Sequence, residues 1–112
     1  MIKLNNVTYG IISKEVTITP SEDGLVLCLS AVGQNKNIDP DIGEISIELT
    51  TNIEDFDDVQ QDVDGLFFVT EFLSGKGTLE IIDDYIHYYG HVDVNYNNEL
   101  GKDVEFDVVI RR

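Results

Sequence analysis

Positive charge is what this chain has least of. Its 112 residues carry seven Lys and Arg against 22 Asp and Glu, a net charge of −15 with both histidines neutral. Holding a phosphate backbone requires clustered Lys and Arg, so direct nucleic-acid binding is excluded, and a polybasic membrane anchor is excluded with it. Tryptophan is absent, so any aromatic anchor has to be Tyr or Phe. There is one cysteine, Cys28. A single cysteine closes no internal disulfide and builds no thiolate metal cage. Set among Leu25, Val26, Leu27 and Leu29, it reads as a small buried hydrophobe. No apolar run approaches the roughly 18 residues that a membrane helix needs. The opening Met1-Ile2-Lys3-Leu4-Asn5-Asn6 turns polar at once and lacks the apolar core of a secretory leader. The expected address is therefore the cytoplasm, with no membrane contact.

What is present suits one globular domain. Hydrophobic residues make up 42% and charged residues 26%, enough apolar area to offset the entropy of ordering a chain of this length. Strand patterns dominate. Glu44 to Thr50 alternates cleanly, with Ile45, Ile47 and Leu49 on one face. Ile86, Tyr88, Gly90, Val92, Val94 and Tyr96 share a face, and His87, Tyr89, His91, Asp93 and Asn95 take the other. Val104, Phe106, Val108 and Ile110 alternate with Asp103, Glu105 and Asp107. With Gly77 to Ile82, these segments predict a three-stranded antiparallel meander turning at Asp83-Asp84 and Asn97 to Gly101. Val16 to Thr19 is a strand that ends, or lies at an edge, at Pro20. Leu25 to Leu29 reads as a central strand buried on both faces, and Lys3 to Ile12 as a strand kinked at Gly10. Residues 52–64 read as a short helix or an irregular loop: Ile53, Phe56, Val59 and Val63 have near-helical spacing, but Asp and Val are poor helix formers. Leu66 to Val69 is a short strand. The sum is an all-β fold, an antiparallel β-sandwich or partly open barrel of about seven strands.

Tests for chemistry fail one after another. Asn37 to Glu48 imitates the acidic spacing of an EF-hand, but Ile42 stands where the loop needs Gly and a strand follows it; Asp39 and Asp41 then sit in a turn. On a strand, His87 and His91 lie about 13 Å apart, too far to share a metal. Asp57-Asp58 and Asp83-Asp84 have no pocket residues around them, and no nucleophile motif occurs. Ser74-Gly75-Lys76-Gly77 lacks phosphate-loop spacing and reads as a turn. No catalytic residue, cofactor or metal is assigned.

Charge remains. No Lys or Arg falls between Lys36 and Lys76, while Glu54, Asp55, Asp57, Asp58, Asp62 and Asp64 crowd one short stretch. Solubility needs far less net charge than this. Tyr85, His87, Tyr89 and His91, outward on one strand and bordered by acids, have the composition of an interface with aromatic anchors and a charged rim. These ten residues form the candidate surface for a basic protein partner. The most concrete expectation is a small bacterial immunity protein that inhibits a nuclease-type toxin; it rests on size and charge. A nucleic-acid mimic acting on a nuclease is the alternative, and an accessory β-sandwich module the third. A monomer is expected, with a homodimer as the alternative.

Overall fold

A computed structural model describes residues 1–56, 59–92 and 104–111. It is all-β and antiparallel, with no helix among the described residues. The strands are β1 (Ile2–Leu4), β2 (Val7–Ser21), β3 (Gly24–Gln34), β4 (Glu44–Ile53), β5 (Val59–Phe68), β6 (Phe72–Ile82), β7 (Tyr85–Val92) and β8 (Glu105–Arg111). Each pairs with its sequence neighbour, and β1 pairs with both β2 and β8, closing an up-and-down barrel.

Alternation decides which residues line the interior. Ile45, Ile47 and Leu49 of β4, Val63 and Phe67 of β5, Leu79 and Ile81 of β6, Ile86 and Tyr88 of β7, and Phe106, Val108 and Ile110 of β8 are buried together. An eight-stranded barrel leaves space for side chains or for one small ligand. Here aromatic rings fill it. Phe106 touches both Phe67 and Tyr88, with ring centroids 4.8 Å apart in each case. Inward glycines make the room: a Cβ on Gly65 would lie 2.8 Å from the Tyr88 ring, and one on Gly75 would lie 2.7 Å from Phe67. The Tyr88 hydroxyl reaches through that space and donates to Val63 O at 2.8 Å, with Gly75 O nearby at 3.2 Å.

Turn chemistry fixes the register. Asn5 and Asn6 both adopt positive φ, 52° and 64°, between paired Leu4 and Val7, the requirement of a two-residue hairpin turn whose twist matches its strands. Asp83 takes φ 52° in the β6–β7 turn. Loop 35–43 folds on itself: Asp39 accepts from the Asp41 and Ile42 amides, and Asn35 N donates to Gly43 O.

Several sequence expectations change. Lys3 to Ile12 is two strands around the Asn5-Asn6 turn rather than one kinked at Gly10, and the irregularity falls between Ile11 and Ser13, where the β2–β3 register shifts. Leu25 to Leu29 is buried on one face only. Leu27 and Leu29 point inward, while Val26 and Cys28 are half-exposed, because a barrel wall has one dry side. The segment 52–64 holds no helix among its described residues, and only its middle is irregular: β4 runs through Ile53 and β5 starts at Val59, so Ile53, Val59 and Val63 are buried on strands and Phe56 is buried between them. Ser74 to Gly77 lies inside β6, where Gly75 faces the rings of Phe67 and Phe106. Asp57, Asp58, Val94, Tyr96 and the Asn97 to Gly101 turn lie outside the described residues. Pro20 does sit on an edge: among the described residues, Ser13 to Ser21 pairs only with β3.

Candidate functional site

The outer wall of β5 to β8 presents polar side chains in cross-strand rows. Gln60, Glu80 and His87 form one row. Asp62, Thr78, Tyr89, Asp107 and Lys3 form the next. Asp64, Lys76, His91 and Glu105 form the third. The registry follows from the hairpins, since each outward residue stands opposite its partner on the neighbouring strand.

Hydrogen bonds cross-link the rows. His87 Nε2 lies 2.7 Å from Asp107 Oδ1, and its Nδ1 lies 3.7 Å from Glu80 Oε2. An ionised carboxylate only accepts, so Nε2 carries the proton shared with Asp107. Glu80 Oε1 accepts from Tyr89 OH at 3.1 Å and from Gln60 Nε2 at 2.9 Å. That bond to the Glu80 carboxylate raises the Tyr89 phenol above its ordinary value, with desolvation adding to it. The His87 and Tyr89 rings lie 4.6 Å apart. Thr78 Oγ1 donates to Asp62 Oδ1 at 3.3 Å, and His91 Nε2 sits 3.7 Å from Glu105 Oε1, both exposed. A shallow hollow of about 350 Å³ runs beside this network, bordered by Lys3, His87, Tyr89, His91, Glu105 and Asp107.

The structure therefore gathers Asp62, Asp64, His87, Tyr89 and His91 on one wall. Tyr85 lies on the same strand, half exposed and opposite Arg111 near the barrel end. Glu54 and Asp55 are elsewhere. They are exposed in the β4–β5 turn, against the β2–β3 turn, where a Cβ on Gly24 would approach Ile53 O and Glu54. Asp57 and Asp58 lie outside the described residues. Sequence reasoning missed Glu80, Asp107 and Gln60 as the partners that hold His87 and Tyr89. The signal was available: Leu79 and Ile81 point inward, so Glu80 points outward, and Asp107 alternates with Phe106 and Val108.

Two other surfaces stand out. An apolar recess of about 320 Å³ opens at the barrel end near loop 35–43, lined by Leu4, Val7, Tyr9, Ile38, Ile42 and Leu73 among others. Burial there raises the Tyr9 phenol, whose hydroxyl faces Ile42 O at 3.4 Å. On the wall of β4 to β6, Leu66, Phe68 and Phe72 are exposed.

His87 and His91 engage different carboxylates, and no group of three metal-ligating side chains converges among the described residues. No helix is long and apolar enough to cross a membrane. The walls carry carboxylates in mid-strand and the interior is apolar, the reverse of the lipid-facing belt of a membrane barrel. Comparison with protein-family models, with curated proteins and with solved structures found no match. The class defined by fold and surface is a closed, filled, eight-stranded antiparallel barrel with an acidic exterior.

Proposed function

We propose that this protein acts by binding a basic protein partner, without catalysis of its own. In its most concrete form it is an immunity protein that inhibits a bacterial nuclease-type toxin by covering its active site. One observation carries the reading: side chains fill the barrel interior, and among the described residues no charged group is buried, so their carboxylates all face outward. An acidic exterior would occupy the phosphate-binding groove of a nuclease and exclude nucleic acid. Rim carboxylates would steer the encounter, and the pairs desolvated at the centre would set how long the complex lasts. A mimic of nucleic acid would need acids at even, phosphate-like spacing. The described acids instead divide among the β5–β8 wall, Glu15 of β2, Glu44 and Glu48 of β4, and turns such as Glu22-Asp23, Glu54-Asp55 and Asp83-Asp84.

The experiment is capture of partners from the source lysate on the tagged protein, washed at low and then high salt. The expected result is one stoichiometric basic protein released by salt, whose nuclease activity the barrel inhibits. Capture that salt does not weaken would remove the electrostatic mechanism. The apolar end recess favours a second reading, an accessory module for a small apolar ligand, which gains ground if no partner is captured.

A further inference from the structure

The β5–β6 hairpin carries a feature that charge alone does not explain. Phe68 and Phe72 face each other across it, flanking the turn closed by Val69 N to Glu71 O at 3.3 Å. Their rings touch on the outside of the barrel, centroids 4.7 Å apart and tilted 53°. Phe72 is 69% exposed and Phe68 40%. Leu66, next along the same outward face, is 37% exposed. With Ser46 and Glu48 of β4 these side chains border a groove of about 300 Å³. Exposed carboxylates surround it: Glu48 stands opposite Leu66, Glu44 lies one outward position beyond Ser46, and Glu71 is adjacent to Phe72. The strands hold these rings in place before any partner arrives, which lowers the ordering cost of binding.

We propose that this groove is the docking site for an arginine-bearing segment of the basic partner, an inference that rests on the binding role above. Aromatic anchors with a charged rim are the usual make-up of an interface centre. Arginine fits because its planar guanidinium can lie on the open face of Phe72 while its fork reaches Glu48, whereas the compact lysine ammonium does both less well. A second copy of this chain fits poorly. A two-fold contact sets each patch against itself, and Glu44, Glu48 and Glu71 would meet their own counterparts. The wall of His87 is a weaker docking centre, since Glu80 and Asp107 are already held by Gln60, Tyr89 and His87.

The test is amide NMR shift mapping on the full chain with two short peptides of equal charge, one alternating arginine with valine and the other lysine with valine. The expected result is that the arginine peptide moves Ser46, Glu48, Leu66, Phe68 and Phe72 and binds about fivefold more tightly than the lysine peptide. Phe72→Ala abolishes that preference with the melting temperature unchanged, because the ring is mostly in solvent. Shifts centred on Asp62 and His87 with no preference for arginine overturn the groove but leave the basic-partner reading standing. Binding of neither peptide overturns both. Concentration-dependent shifts at the groove without peptide assign it to a second copy and overturn the proposal.

Discussion

Gly77 and Gly90 stand opposite each other on β6 and β7, and a side chain at either would drive into backbone. A Cβ on Gly77 would come within 2.2 Å of Tyr89 O, and one on Gly90 within 2.2 Å of Lys76 O. Gly10 is the contrast, its nearest neighbour lying at 3.8 Å. Gly77→Ala is therefore expected to destabilise the barrel by about 3 kcal/mol or more and Gly10→Ala by under about 1 kcal/mol, a difference that urea unfolding resolves. Tyrosine supplies the second prediction at this scale. Burial, then the charge of Asp64, raises the Tyr88 phenol, and the Glu80 hydrogen bond raises that of Tyr89. A free tyrosine ionises near pH 10. A folded value above the unfolded one means that the stability these phenols contribute is complete below about pH 10 and is lost as pH climbs through the folded value. Alkaline titration followed by phenolate absorbance is expected to show Tyr88 ionising only as the barrel opens. Tyr88→Phe removes the hydroxyl from Val63 O and is expected to lower stability by about 1–2 kcal/mol at neutral pH.

Strands β4 and β5 are each ten residues long but pair over only four positions, from Ser46 with Phe68 to Leu49 with Gly65. Below that the strands part, and Gln61 reaches across the gap: its Nε2 donates to Thr51 Oγ1 at 2.9 Å and to Asn52 O at 2.8 Å. This seam is the sparsest pairing between any two of the longer strands, β2 to β8. Gln61→Ala is expected to lower stability by about 1–2 kcal/mol, with hydrogen exchange accelerating first along the seam. The seam also marks where the sequence stopped being legible. Alternation exposed β4, β7 and β8 and placed His87, Tyr89 and His91 outward, because a two-residue period survives in any strand with one dry face. Between Ile53 and Val63 the apolar spacing mixes a strand end, a turn and a strand start, so no single period describes it. Ser74 to Gly77 misled for another reason. Glycines there serve the volumes of Phe67 and Phe106, which come from other strands, and a local reading assigns glycine to turns. The same limit hid the network on the wall: Glu80 and Asp107 meet His87 through cross-strand register, which the chain does not spell out locally. That Phe68 and Phe72 both face solvent follows from the hairpin register, again a cross-strand property.

Over the whole molecule, 7059 Å² of surface shared by 15 net negative charges gives about 470 Å² each, or a mean spacing of about 22 Å. That spacing lies inside the screening length of about 30 Å at 0.01 M salt and well outside the length of about 8 Å at physiological ionic strength. Self-repulsion should therefore act in dilute buffer and fade by physiological salt. Melting temperature is expected to rise by several degrees, at roughly 4–8 °C per kcal/mol recovered, as salt is raised to about 0.15 M, and then to level off. A melting temperature that falls with salt would show that attractive pairs outweigh the repulsion. Asp62→Asn and Asp64→Asn should be neutral or slightly stabilising, within about 0.5 kcal/mol.

The three-residue strand β1 closes the barrel by lying between β2 and β8, with the Met1 amino group donating to Val109 O at 2.6 Å and Val109 N to Met1 O at 2.9 Å. On the ribosome this means that β1 waits for β8, the later-made of its two partners. Until Glu105 to Arg111 emerges, β1 and β7 each keep an edge that nothing satisfies, and the nascent sheet stays open to pairing with other chains. Like-charge repulsion between growing copies would then protect synthesis as well as shape the finished surface, and stripping acids from the exterior would show first as lost soluble yield, before any loss of stability.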